Sequence, residues 1–168
     1  MKRLFAAILI FCVILFSVVG CAERRKPSCR ELVQMLTNAE IYLPAGNIFS
    51  LSAKEGDDGF VSDSLLSALY GNGEIPPLRE CWIDGAMFLS SNDHPCEFAV
   101  ILCNSHDAAT DTARLLCRRI DAIRTTKNKP EYKELIENAT VTVRGNYVVF
   151  IISSDSKSAF KAIKKVLQ

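Results

Sequence analysis

His94, Cys96, Cys103 and His106 place two imidazoles and two thiols in one short stretch of the chain. Two thiolates and two imidazoles are the donor set of a tetrahedral zinc site. The residues between the two pairs argue against one shared ion, because Glu97 to Cys103 reads as a strand. At ~3.3 Å per residue that run holds the pairs about 23 Å apart. No metal is therefore expected. The same residues offer a second chemistry, in which Cys96 or Cys103 attacks a substrate with His94 or His106 as the base, as thiol-dependent enzymes do. No enzyme signature flanks either cysteine, and Cys103 ends an apolar run where a small buried thiol is ordinary. A Gly-x-Ser-x-Gly elbow and a phosphate-cradling glycine loop are both missing from the sequence. Glu55-Gly56-Asp57-Asp58-Gly59 lacks the spaced ligands and closing glutamate of a calcium loop and reads as a solvated turn.

Cys21 stands in a different context. Met1-Lys2-Arg3 is a short basic stretch, and Leu4 to Val19 then runs without an ionisable group stronger than Cys12, the pattern of a secretory signal. At ~1.5 Å per residue that run reaches about 24 Å, short of the roughly 30 Å hydrocarbon core, so removal is favoured over permanent spanning. Val18-Val19-Gly20-Cys21 resembles the lipobox of bacterial lipoproteins. The resemblance implies cleavage between Gly20 and Cys21 and a covalent diacylglycerol on the Cys21 thiol, with no other cofactor. The competing reading is an incidental cysteine at the end of a signal anchor. Arg24, Arg25 and Lys26 oppose export, since Lys/Arg bias sets orientation, and Lys2 and Arg3 offset them. If the stretch is exported, the three would each add ~1 kcal/mol of attraction to anionic headgroups, the alternative being a solvated tether. The expected location is the outer face of the cytoplasmic membrane. The expected boundaries are a signal peptide over 1–20, a membrane-proximal tether over 21–27 and a single domain over 28–168.

A chain of 168 residues, 49% hydrophobic and 23% charged, suits one packed domain. Its net charge of +1 gives no electrostatic footprint for nucleic acid, which is not expected as a partner. Beyond Cys12 and Cys21 the cysteines are Cys29, Cys81, Cys96, Cys103 and Cys117, an odd set without a Cys-x-x-Cys pair. An exported protein would ordinarily pair its cysteines. This count fits free, mostly buried thiols with at most two disulfides, Cys81 facing Cys96 across a hairpin being one arrangement. Lys157, Lys161, Lys164 and Lys165 suit the dipole at a helix carboxy terminus, and a phospholipid or polymer contact is their other use.

The elements that must position these residues follow from pattern. Ser28-Cys29-Arg30-Glu31 predicts a capping box opening a short helix. Pro44 and Gly46 break the regular pattern, and a second short helix runs from Ser64 to Tyr70, ending at Gly71 as a left-handed residue. Cys81 to Leu89 and Glu97 to Cys103 predict a hairpin. Ala109, Ala113, Leu116, Ile120 and Ile123 recur at helical spacing from Asp107 to Arg124. A short helix from Pro130 to Glu137 precedes a second hairpin, Thr140 to Arg144 and Tyr147 to Ile152, turning at Gly145-Asn146. Asp155 or Ser156 caps a last helix carrying Ala159, Phe160, Ile163, Val166 and Leu167. The expected fold is α+β: a two-layer domain with an antiparallel sheet of about four strands, two long helices on one face, and short amino-terminal helices.

Leu65-Leu66 with Leu69-Tyr70-Gly71, Glu97-Phe98-Ala99-Val100, Arg119-Ile120, Tyr132 with Leu135 to Ala139, and above all Gly145-Asn146-Tyr147-Val148 resemble a domain-of-unknown-function family of lipoproteins from clostridia-like Firmicutes. The resemblance covers roughly residues 45 to 168. It implies an exported lipoprotein and brings no catalytic residue or cofactor with it. The several cysteines and the Asp93-His94-Pro95-Cys96 loop depart from that pattern. The expected function is that of a membrane-anchored accessory or binding module of the cell envelope. Its partners would be membrane lipid through the anchor and another envelope protein or polymer, with the thiol-dependent enzyme as the alternative.

Overall fold

Ser28 opens the first helix with a reciprocal cap: its hydroxyl accepts from the Glu31 amide at 3.2 Å, and Glu31 Oε2 accepts from the Ser28 amide at 2.7 Å. The computed structural model describes residues 25–71, 73, 76–91 and 93–167, so Gly20 and Cys21 lie outside the described residues. Helix α1 (Cys29–Ala39) buries Cys29, Leu32, Val33 and Leu36, a stripe at helical spacing. Strand β1 (Gly46–Ser50) follows, then α2 (Asp63–Tyr70), a 3-10 turn (Pro77–Cys81), β2 (Trp82–Ser90), β3 (Glu97–Cys103) and α3 (His106–Thr126). A second 3-10 turn (Pro130–Tyr132), α4 (Lys133–Glu137), β4 (Thr140–Arg144), β5 (Tyr147–Ile152) and α5 (Ser156–Lys164) complete the order.

The sheet has five strands in the order β1-β2-β3-β5-β4, every neighbour antiparallel. The α+β class and the antiparallel sheet are as expected, with β1 added at one edge. Gly46 admits that strand, since a Cβ there would lie 2.4 Å from Leu89 O and 2.5 Å from Phe88 Cζ. At Gly145 φ is 56° and Asn146 keeps negative φ, the pattern of a two-residue type II′ hairpin. Gly71 differs from expectation, because its φ is −112°. The left-handed conformation falls on Gly73, whose amide reaches back to Ser67 O at 3.1 Å.

The helices also differ in placement from the expected single face. Met87, Ala99, Ile101, Val148, Phe150 and Ile152 point to α3, where Leu116 and Ile123 meet them. Ala86, Phe88, Phe98, Val100, Val149 and Ile151 point the opposite way, to Leu32, Val33 and Leu36 of α1 and Ala159 and Ile163 of α5. Helices α3 and α5, the two expected to be long, of which α5 at nine residues is shorter than α1 at eleven, therefore take opposite faces. The cause is the run of apolar residues in β3 and β5: such a strand is buried on both sides and needs cover on both. Each large apolar side chain so covered stabilises the fold by about 1.5–3 kcal/mol.

Antiparallel order sorts the connections to two ends. Arg25 to Ser28, the Gly145-Asn146 turn and the close of α5 share the amino-terminal end, where Cys29 N donates to Asp84 Oδ2 at 2.8 Å and His106 Nδ1 lies 2.9 Å from Gly145 O. The 40–45 connection, the Ser90–Cys96 loop and the start of the 127–139 connection share the far end. There Ser91 N donates to Ala45 O at 2.8 Å, Ser154 to Glu40, and Lys127 Nζ to Asp93 Oδ1 at 2.8 Å. The five described cysteines are free. Cys81 does not face Cys96. Trp82 pairs with Cys103 and Leu89 with Glu97, so antiparallel register puts Cys81 at the Cys103 end and Cys96 at the other.

Candidate functional site

Strand β3 divides the four residues with metal and thiol chemistry, as the spacing requires. His94 and Cys96 lie before it at the far end, whereas Cys103 closes it and His106 follows it at the amino-terminal end. Among the described residues no group of three or more His, Cys, Asp or Glu could hold a metal ion. His94 Nδ1 accepts from the Cys96 amide at 3.1 Å, which engages that ring nitrogen with backbone. The Cys96 thiol is 3% exposed and is pushed up to about 12, first by burial and then by the charges of Glu40 and Glu97. Cys103 is fully buried, its Sγ 3.5 Å from Thr112 Oγ1, and burial raises it as well. The thiolate is the nucleophile, so both thiols are held in the inert form at neutral pH. In the Glu55–Gly59 turn the Asp57 carboxylate accepts from the Lys54 amide at 3.0 Å, ordinary turn chemistry.

The far end holds a cluster that pattern reading missed. Glu97 opens β3 with its side chain on the α3 side, 3% exposed. Arg119 of α3 donates to it through Nη2 at 2.8 Å and Nε at 3.2 Å, and Tyr70 of α2 through its hydroxyl at 3.5 Å. Burial raises the Glu97 carboxyl, against the opposing pull of Arg119 and Tyr70. Tyr70 rises well above its ordinary value, again by burial first and then by the Glu97 charge. The three side chains tie two helices to the central strand. Arg119 lies three residues after Leu116 and four before Ile123, inside the apolar stripe, and that position was the available signal.

A cavity of about 150 Å³ lies over this cluster, lined by Glu97 and Arg119 and rimmed by His94, Cys96 and Lys127. Burial, then the Lys127 charge, lowers His94 and favours neutral imidazole. A second cavity of about 390 Å³ shares Lys127 and adds Arg124, Lys129, Lys133, Ile136 and Glu137. The Tyr132 ring stands between the His94 ring at 5.1 Å and Lys129 Nζ at 5.4 Å. Asp93, at φ 63°, pairs with Lys127 at 2.8 Å and Lys129 at 3.6 Å, and Lys127 holds its carboxyl below the usual range. Ile41 and Tyr42, 84% and 83% exposed, project from the neighbouring connection. Both carboxylate oxygens of Glu97 thus accept from side chains of the protein, Oε1 from Tyr70 and Oε2 from Arg119. At this end a cavity lined by Pro130 and Ile136 is flanked by the pairs of Lys127 and Lys129 with Asp93 and of Lys133 with Glu137.

No helix among the described residues is long and apolar enough to cross a membrane. Comparison of the chain with family models, with curated proteins and with solved structures returns no match.

Proposed function

We propose that the protein is a non-enzymatic accessory lipoprotein, held by diacylglycerol on Cys21 at the outer face of the cytoplasmic membrane, whose domain binds a protein of the cell envelope through its far end. The observation that carries this reading is the opposition of the two ends. Arg25 enters at one end of the sheet, and exposed Ile41 and Tyr42 stand with Asp93, Lys127 and Lys129 at the other. A short tether at Cys21 therefore turns the binding end away from the bilayer. The lipobox-like Val18-Val19-Gly20-Cys21 and the Gly145 to Val148 resemblance support the anchor. Burial of the Cys96 and Cys103 thiols supports binding over thiol catalysis. Charges of both signs at the far-end cavity, with Lys127 and Lys129 paired to Asp93 and Lys133 to Glu137, favour a protein partner over a uniformly charged polymer.

The test is a photo-crosslinking residue placed at Tyr42, with exposed Asp111 on α3 as the control position, in intact membranes. A discrete adduct at Tyr42, absent at Asp111 and lost when Ile41→Asp is added, is expected. Equal adducts at both positions, or none, would overturn the reading.

A further inference from the structure

We propose that the amino-terminal end of the domain carries its own binding site for the headgroups of anionic phospholipids, so that the acyl chains on Cys21 are not the domain's sole hold on the bilayer. The proposal rests on the lipid-anchor reading and goes beyond it, because it concerns folded residues far from Cys21 in sequence. A concave surface of about 430 Å³ brings Lys26 of the tether against Arg144 and Tyr147, on either side of the β4–β5 turn, and against Val166 and Leu167 beyond α5.

Reach comes first. From Cys21 to Arg25 there are four Cα steps, at most about 14 Å when extended. An anionic surface makes itself felt over about 8 Å at physiological salt. A lipidated Cys21 thus tethers this end nearest the headgroups.

Charge comes second. Arg25, Lys26, Arg144, Lys164 and Lys165 are all exposed, and the last two arrive here because α5 runs back from the far end. None of the five has an ion-pair partner among the described residues, whereas Lys127 and Lys129 at the far end share Asp93. The nearby carboxylates are already engaged: Asp84 accepts from the Cys29 and Gly85 amides, and Glu31 closes the α1 cap. The Arg144 guanidinium lies 6.0 Å from the Phe160 ring centroid, which steadies its stem.

Apolar surface comes third. Val166, 37% exposed and next in sequence to Lys165, lines the same concave surface as Lys26 and Arg144. Cations without ion-pair partners beside an exposed aliphatic side chain suit the interfacial layer of a bilayer, where headgroup and acyl boundary meet. The consequence is orientation: acyl chains alone leave the domain free to swivel, and a second contact fixes the far end outward.

The test takes the acylated full-length protein from membranes into vesicles of phosphatidylcholine alone or mixed with phosphatidylglycerol. Hydrogen exchange of the Arg144–Tyr147 turn and of residues 164–167 is then followed by mass spectrometry. Exchange slowed several-fold in the anionic vesicles alone, and restored by high salt or by Lys26→Glu with Arg144→Glu while α3 exchanges as before, is the expected result. A protein that carries acyl mass and floats with both vesicle types but exchanges equally on them overturns the surface and leaves the anchor standing. A protein with no acyl mass that fails to float overturns both.

Discussion

Arg119 grips Glu97 through two nitrogens beside a small cavity, Nη2 at 2.8 Å and Nε at 3.2 Å from Oε2, with the Glu97 side chain 5% and the Arg119 side chain 18% exposed. A pair this deep owes its value to completeness. Its desolvation cost is already present in the fold, and removal of one partner leaves the other charge without an answer.

Arg119→Leu is expected to lower unfolding free energy at pH 7 by about 3–5 kcal/mol, and Glu97→Gln with Arg119→Leu by clearly less than the sum of the single changes. Urea unfolding of the four proteins measures the coupling. Additive losses would mean that the two side chains do not stabilise each other.

The pH dependence follows from the raised Glu97 carboxyl. Its folded value lies above its unfolded value, so the folded state holds the proton more tightly. This group's contribution is therefore most favourable below the ordinary glutamate range and declines as pH rises through the folded value. Loss of Arg119 raises that value further. The deficit of Arg119→Leu relative to wild type should then shrink as pH falls toward 4, and unfolding curves at several pH values check it. A constant deficit contradicts the sign.

Thiol accessibility separates binding from thiol catalysis. Cys117 is exposed and Cys81 half-buried, while Cys29, Cys96 and Cys103 are buried; burial, with the neighbouring Asp84 charge, also pushes the Cys29 thiol far above its ordinary range. Native alkylation at pH 8, read by peptide mass, should modify Cys117 first and Cys81 more slowly. The other three should react only in denaturant. Rapid reaction at Cys96 would reopen the enzyme reading.

Gly59 has φ 79°, and a Cβ there would sit 2.3 Å from Ile48 O, at the point where Ser50 N donates to Gly59 O at 2.8 Å. Gly59→Ala should cost about 1–3 kcal/mol. Gly56→Ala shares the positive φ but has open space, so it should cost less, about 1 kcal/mol. Equal losses in urea unfolding would show that the close approach contributes nothing.

Where local chemistry decides, the sequence was readable: the Ser28–Glu31 box, the strands Thr140–Arg144 and Tyr147–Ile152, and the Asp155 cap stand where pattern puts them. Where distant residues decide, it was not. Strand β1 is a half-exposed edge whose pairing with β2 depends on Gly46 fitting beneath Phe88, which no local period reports. The division of helices between faces was written in the unbroken apolar run of Phe98 to Cys103, yet which helix covers which face depends on α1 packing against α5. The position of Arg119 in the apolar stripe marked it as turned inward, but only the crossing of α3 over β3 makes Glu97 its partner.

The most direct measurement for the account as a whole is the intact mass of the protein extracted from membranes, beside a Cys21→Ala version. A chain beginning at Cys21 with added acyl mass, and loss of both that mass and membrane retention in Cys21→Ala, is the expected result. An unmodified chain still beginning at Met1, retained equally in both versions, would contradict it.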